Sequence, residues 1–526
     1  MCALQIGGGN KPPVPDAQTG FAGGQFSYLR AGALKLNEAT ELVNVDVIRY
    51  EDAATRRGTD YLGDTLSVIS SPIRGLAYFD TASLEKLVRI KKNAFATMVV
   101  QTHDGVPASS WADVAGWTPA DAACDIVQGN DKLFFANGTD NLRSYDGATF
   151  TDMGTGYPNP PKYKHLIYAT NRLIGWGDST APDTLGFSDI LGEAVWSGTN
   201  TLRVGAGEGD PIVFCELWTR TILLVVKQSS AKFINIDPTA TVATMAVEDV
   251  STRVGCVGRR AYAKVGKDVW IVTKDGIRSV QRVLSGEDTD VTPPLSEPVH
   301  NLFEARNQAA DDTIACWAYG ERFFCAIPTG NSTQPDTVLV ARITAAGPVW
   351  LGKWSGWPAV VWETSRFGGA KRLNFGTSAG LVQRWRDFTR ELDETAADYK
   401  DGSAEIATTI ETRAMKFGDG DAWKQGFTVE AEFNESRANI EVTPKMDGVL
   451  ATAPVITAGS GLGALTFPWT FPLVFPAQGN KREGGTLMHQ PPFREIAFRV
   501  ASTAGKLSLR SVNATAFLKT MQVRSR

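Results

Sequence analysis

Histidine, cysteine and long apolar runs are what this chain has least of. Its 526 residues include 4 His, at His103, His165, His300 and His489. No HxH, HExxH or His–Cys spacing joins them, so the sequence assembles no metal site, and no cofactor is expected. His103 beside an Asp-Gly turn and His165 near a strand read as structural or exposed. The 6 Cys are scattered, with no CxxC pair. That density argues against a disulfide-stapled secreted scaffold and suits small buried hydrophobes. No apolar run approaches the roughly 18 residues of a spanning helix, so no membrane span is expected. The start, MCALQIGGGNKPPVPDAQTG, lacks the basic region and apolar core of a signal peptide. No charge of one sign dominates: 53 Lys and Arg face 57 Asp and Glu, for a net −4. This offers no electrostatic case for nucleic acid as the main partner. GxSxG, Walker and complete Rossmann patterns are also missing. The GGG at 7–9 has no strand before it and reads as a flexible segment.

What the chain does have is turn and aromatic material, with 51 Gly, 26 Pro, 25 Phe, 14 Trp and 11 Tyr. NDKLFFANGTDNLRSYDGATF, 130–150, shows how it is used. A polar turn at Asn130-Asp131 precedes the apolar run Leu133–Phe135. A second turn and the return run Leu142–Tyr145 follow, and Asp146-Gly147 marks a tight turn. Similar units begin near 92, 170, 220, 266, 319 and 370, for example GKDVWIVTKDGIRSV and AKRLNFGTSAGLVQRW. The spacing of roughly 40 to 50 residues is that of a four-stranded propeller blade. One such blade cannot bury both faces, and radial packing against its neighbours supplies the missing core. Helical signal is thin, confined to LFEARNQAADD at 302–312. The expected fold is all-β: a six- or seven-bladed β-propeller over 21–400 behind a flexible N-terminal arm at 1–20.

The composition changes near 400, where YKDGSAE, 399–405, reads as a linker. Phe427, Val429, Ala431 and Phe433 then alternate with polar residues, as do Ile496, Phe498 and Val500. Strands with one dry face predict a β-sandwich-like domain over 401–526. It carries a long Pro-broken aromatic loop at 459–485. Phe467, Trp469, Phe471 and Phe475 are its candidate docking residues, with folding back as a cover the other reading.

Of the Asp and Glu residues, no pair can be assigned from sequence to the two faces of a sugar bond. Arg56-Arg57, a weak match to an arginine cluster for a substrate carboxylate, reads as an interface or packing element. Ser144, Asp146, Gly147, Thr149 and Phe150 match the Asp-box of sialidase-like propellers only in part, because one residue between Asp and Gly is missing. Asp146 is a turn former, accepting backbone hydrogen bonds while Gly147 takes a positive φ. No catalytic residue is assigned, and an enzyme is not expected.

Four stretches carry a family resemblance. LNEATELVNVDV with RRGTDYL, inside 31–63, resembles the opening strand pair of β-propeller tail proteins of short-tailed bacteriophages, of the nozzle or tail-stabilisation type. YATNRLIGWGDSTAPDTLGFSDILGEAVW, 168–196, and KDVWIVTKDGIRSV, 267–280, resemble their blades. TIETRAMKFGDGDAWKQGFTVEAEF, 409–433, resembles the bridge into their outer β domain. The usual Arg-Pro-Gly-Thr wording lacks its Pro in RRGT at 56–59, and the FPWTFPLVFP insertion is unusual. The resemblance implies a noncatalytic virion protein in the tail or neck, assembled in the host bacterial cytoplasm. It implies a homo-oligomeric ring, a hexamer, which supports tail assembly, DNA retention and DNA ejection. Its implied partners are portal or adaptor proteins and tail fibre or spike proteins, with transient nonspecific contact to viral DNA. A carbohydrate- or receptor-binding propeller is the alternative, and a polysaccharide hydrolase or lyase a further one.

Overall fold

The computed structural model describes residues 14–518 apart from 28, 48–51, 64–70, 155–161, 239–240, 287–291, 388–393, 419–422, 435–438, 453, 459–480 and 488–492. Strands dominate, and the α-helical pieces among the described residues are short, such as Val280–Leu284 and His300–Glu304.

From 75 to 385 the chain is laid down as successive antiparallel sheets. The first joins Gly75–Thr81, Leu84–Lys92, Met98–His103 and Ala112–Val114 in sequence order. The second (125–152), third (165–203) and fourth (212–251) repeat this four-stranded meander. The fifth has three strands among the described residues, Tyr262–Val265, Asp268–Val272 and Ile277–Ser279. The sixth spans 315–355. The seventh contains Ala359–Ser365, Arg372–Thr377 and Val382–Trp385, and takes its fourth strand from far upstream. Thr59–Tyr61 pairs antiparallel with its last strand, placing Thr59 opposite Trp385. The expected hairpins near 130, 170, 220, 266, 319 and 370 are the turns between first and second strands of the second to seventh sheets. The hairpin near 92 joins second to third strands of the first sheet, whose own first turn falls at 82–83.

The second strands explain the continuous apolar runs of the sequence. In Lys132–Ala136, Leu133 and Phe135 pack with Phe79, Val88 and Val100 of the first sheet. Phe134 and Ala136 point the other way, onto Leu166, Leu173 and Trp196 of the third. Each strand is buried on both faces, so alternation disappears from the sequence although side chains still alternate in space. Leu223 and Val225 against Leu224 and Val226 divide in the same manner.

First strands lie side by side in cyclic order. Gly75–Thr81 contacts Asp125–Gly129, which contacts His165–Ala169, which contacts Ile212–Leu217. Tyr262–Val265 contacts Ala315–Tyr319, which contacts Ala359–Ser365, which returns to Gly75–Thr81. Between the fourth and fifth sheets, the Phe214 and Tyr262 rings stack at 3.7 Å. The result is a propeller-like all-β fold.

A second β body holds both ends of the described chain. Val14–Thr19 and Lys424–Phe433 flank the long strand Ser508–Leu518, and Lys481–Leu487 lies beyond Lys424–Phe433. Glu38–Val43, Thr408–Thr412, Ile496–Ser502 and Ile440–Met446 pair antiparallel in that order, and their sheet is continuous with the sixth, because Glu38–Val43 also pairs parallel with Gly347–Ser355. Phe427, Val429 and Phe433 of one sheet share a core with Ile410, Val442, Phe498 and Val500 of the other. The boundaries therefore differ from those expected. Residues 14–19 of the expected arm are a strand paired with 511–516, and 38–47 and 53–55 belong to this body rather than to the 21–400 unit. Pairing is the physical reason: without these strands, 508–518 and 408–412 would present open edges.

Arg56 and Arg57 sit where the two bodies meet. Arg56 is 0% exposed and donates to both carboxylate oxygens of Asp401, at 2.6 and 3.0 Å. It also donates to the Ser355 carbonyl at 2.6 Å and to Asn44 Oδ1 at 3.1 Å, and its guanidinium lies over Trp357. Arg57 pairs with Glu394. Gly58 follows because nothing larger fits: a Cβ there would meet the Lys400 carbonyl oxygen at 1.8 Å. Asp146 is a turn residue. Its carboxylate accepts from the backbone N–H of Ala148 and Thr149, and Gly147 has φ +98°.

Candidate functional site

The first strands put different chemistry on the ring axis from that on their outer neighbours. A cavity of about 380 Å³ is lined by residues of the first strand of every sheet, including Leu76, Ile126, Leu166, Glu216, Tyr262, Trp317 and Glu363. A second cavity, of about 470 Å³, adjoins it across Arg259 and Arg260, which line both. Arg74, Lys164, His165 and Asp312 are among the residues around this second space.

Arg260 comes from the loop that enters the fifth sheet and reaches across the axis. Its Nη1 donates to the Val360 carbonyl at 3.0 Å, and its Nη2 to the carbonyls of Arg74 and Cys124 at 3.2 and 3.3 Å. Its own carbonyl accepts from Cys316 N at 2.7 Å. One residue thus ties together the seventh, first, second and sixth sheets. Burial, with the neighbouring Arg259 charge, pulls the Arg260 pKa down to about 9. Arg259 pairs with Asp125 at 3.2 Å, and Asp125 also meets His165 Nδ1 at 2.7 Å. Burial alone would raise the Asp125 pKa. The Arg259 and His165 charges outweigh it and hold the carboxyl well below its ordinary range.

Two further carboxyls lie in the smaller cavity. Glu216 is 3.5 Å from both Lys264 Nζ and the Tyr262 hydroxyl, and burial raises its pKa against the pull of Lys264. Glu363 accepts from its neighbour's backbone N–H, Thr364 N, at 2.8 Å. Enclosure by protein pushes its pKa up to about 8, so it is mostly protonated at neutral pH. Carboxyls, guanidinium groups and the half-buried Trp317 therefore share one funnel. Asp125 is committed to an ion pair and Glu216 to Lys264.

Sequence reasoning selected a different Arg-Arg pair. Arg56-Arg57 lies at the junction of the two bodies, whereas Arg259-Arg260 lines the axis. The available signal was the polar RR that precedes the inner strand in RRAYAKV and the lone Glu within the inner strand AVVWETS. Sequence spacing cannot bring 125, 216, 259 and 363 together, and only ring closure does. His165 contributes to the pocket through Asp125. His103 is structural: Nδ1 accepts from Gly105 N at 2.9 Å and Nε2 faces the Ser109 carbonyl at 3.1 Å. Burial lowers its pKa. The docking residues Phe467, Trp469, Phe471 and Phe475 lie outside the described residues. Among the described residues, no group of three or more His, Cys, Asp or Glu is placed to hold a metal ion. Cys124, Cys215, Cys256, Cys316 and Cys325 are free and buried.

No protein-family model matches the chain. No curated protein matches it. Solved structures do resemble it. BamB from Moraxella catarrhalis is 14% identical with a TM-score of 0.37, covering 65% of this chain and 96% of its own. YCF48 bound to D1 peptide is 10% identical with a TM-score of 0.39, covering 65% and 97%. The WD40 domain of Toxoplasma gondii coronin is 9% identical with a TM-score of 0.36, covering 68% and 92%. Similarity at this level leaves the fold to be argued from the strand pairing above.

Proposed function

We propose that the protein is a noncatalytic binding propeller of seven blades, with a receptor or carbohydrate ligand in its axial pocket. The carrying observation is the single cavity lined by the first strand of every sheet, with Arg259 and Arg260 on its wall. Cyclic contact of those strands supports the count of seven. The strand Thr59–Tyr61, borrowed by the last sheet, supports closure of the ring. The two facing sheets of the second body are read as a β-sandwich that serves as a docking body. A glycan-binding screen with release of sugar measured in parallel tests this reading. Retention without turnover is expected. Turnover abolished by Glu216→Gln would instead establish a hydrolase or lyase.

A second reading is a ring component of a short-tailed phage tail or neck. It is favoured by where the resembling segments fall: 38–43, 59–61 and 424–433 are strands that join the two bodies or build the second. On this reading the chain forms a hexameric ring with heterologous contacts. It would meet portal or adaptor and fibre or spike proteins and line a DNA channel without tight phosphate binding. Electron microscopy of the purified assembly tests it, and a monodisperse monomer with no part in virion assembly would sink it.

A further inference from the structure

We propose that the larger cavity, which adjoins the axial pocket across Arg259 and Arg260, holds an oxyanion, the carboxylate or phosphate group of the pocket's ligand, between Arg260 and Lys164 with Arg259 beside them. The inference rests on the binding reading above and names the chemistry recognised. The charges around the larger cavity do not cancel. Arg74 is paired with Asp121 at 2.6 Å and Arg259 with Asp125 at 3.2 Å. Arg260 and Lys164 form no ion pair among the described residues; Asp312 is the one carboxylate lining the cavity, and Asp125, already held by Arg259 and His165, acts on Arg260 from beside it.

Donor capacity is also left over. Arg260 spends three of the five guanidinium N–H groups on backbone carbonyls. Enclosed Arg259 Nη2 has no acceptor among the described residues. Unpaired charge and unsatisfied N–H groups are costly inside a protein, and both are relieved by an anionic acceptor. Guanidinium groups match the planar oxygens of carboxylate and phosphate, and Lys164 at the exposed mouth adds a point charge. Backbone carbonyls from three sheets hold Arg260 in place before any ligand arrives, which limits the ordering cost of binding.

Calorimetric titration of the full chain with sodium phosphate, sodium glucuronate, glucose and sodium chloride at matched ionic strength tests the proposal. Saturable binding of phosphate or glucuronate is expected, with Kd on the order of 1 mM or tighter, and none of glucose or chloride. The anion that binds more tightly identifies whether the ligand's group is phosphate or carboxylate. Lys164→Ala, on an exposed side chain, should keep the melting temperature of the free protein and weaken binding about tenfold. Arg259→Gln should weaken it at least as much, and if that variant fails to fold, Lys164→Ala decides. No saturable binding at about 10 mM of either anion, or unchanged affinity in Lys164→Ala, overturns the proposal. A neutral glycan bound equally by wild type and Lys164→Ala would preserve the binding reading while removing this one.

Discussion

At the scale of single residues, two ionisable groups behave in opposite ways. Glu363 has its pKa raised to about 8 by enclosure, against an ordinary value of 4.5. The folded chain therefore binds this proton over a range where the unfolded chain has released it. Its effect on stability is most favourable below the unfolded value and declines as pH rises from about 4.5 through 8. Glu363→Gln should flatten that part of the stability–pH curve and raise stability above pH about 8, as read from urea melts across pH. An unchanged curve would show that the carboxyl is effectively solvated. Arg56 has the reverse character, since its charge is fully matched by Asp401, Asn44 and the Ser355 carbonyl. Arg56→Ala strands the Asp401 carboxylate at the junction and should cost about 3–5 kcal/mol in denaturant unfolding. The partners of Arg56 and Arg260 were not legible in the sequence, because both side chains bind groups from segments far apart along the chain.

At the scale of elements, the sequence signal was strongest where a strand is buried twice. KLFFA shows no polar alternation because Phe134 faces the third sheet while Leu133 and Phe135 face the first. Phe134→Ala should therefore lower stability by about 3–5 kcal/mol, with the loss reported by unfolding rather than by any change in oligomeric state. Gly58 defines a different kind of element, the crossing from the second body into the closing strand. Gly58→Ala forces a Cβ against the Lys400 carbonyl. The pairing of Thr59–Tyr61 with Val382–Trp385 should loosen, seen as faster amide exchange in both strands. Equal exchange in wild type and variant would mean that the backbone shifts without consequence. Apolar patterning marked these strands but not their order, since a three-residue strand such as Thr59–Tyr61 has too little pattern to announce its partner.

At the scale of the whole molecule, the ends of the chain are interleaved with each other and with the last sheet. Val14–Thr19 pairs with 511–516, Glu38–Val43 with 409–412, and Thr59–Tyr61 with 383–385. A cut at residue 400 removes partners from both sides. The fragments 21–400 and 401–526 should each be poorly soluble alone and show no cooperative melt, whereas their co-expression should recover a folded complex. Independent folding of 401–526 would contradict the shared core. The expected boundary at 400 followed the composition change, which marks where the chain enters a new body and not which earlier strands that body needs.

The sequence by itself determined the all-β character, the seven hairpin positions from 92 to 370 and the dry faces of strands such as Phe427–Phe433. These depend on local period, turn chemistry and side-chain polarity, which are written within about ten residues. Tertiary structure alone decided the ring contacts, the closing strand from residue 59 and the convergence of Asp125, Glu216, Arg259, Arg260 and Glu363 on one axis. Those depend on contacts between one sheet and the next and, for the closing strand, on a pairing between residues 59–61 and 383–385. No local pattern encodes them, because edge pairing is satisfied by any strand that arrives in register.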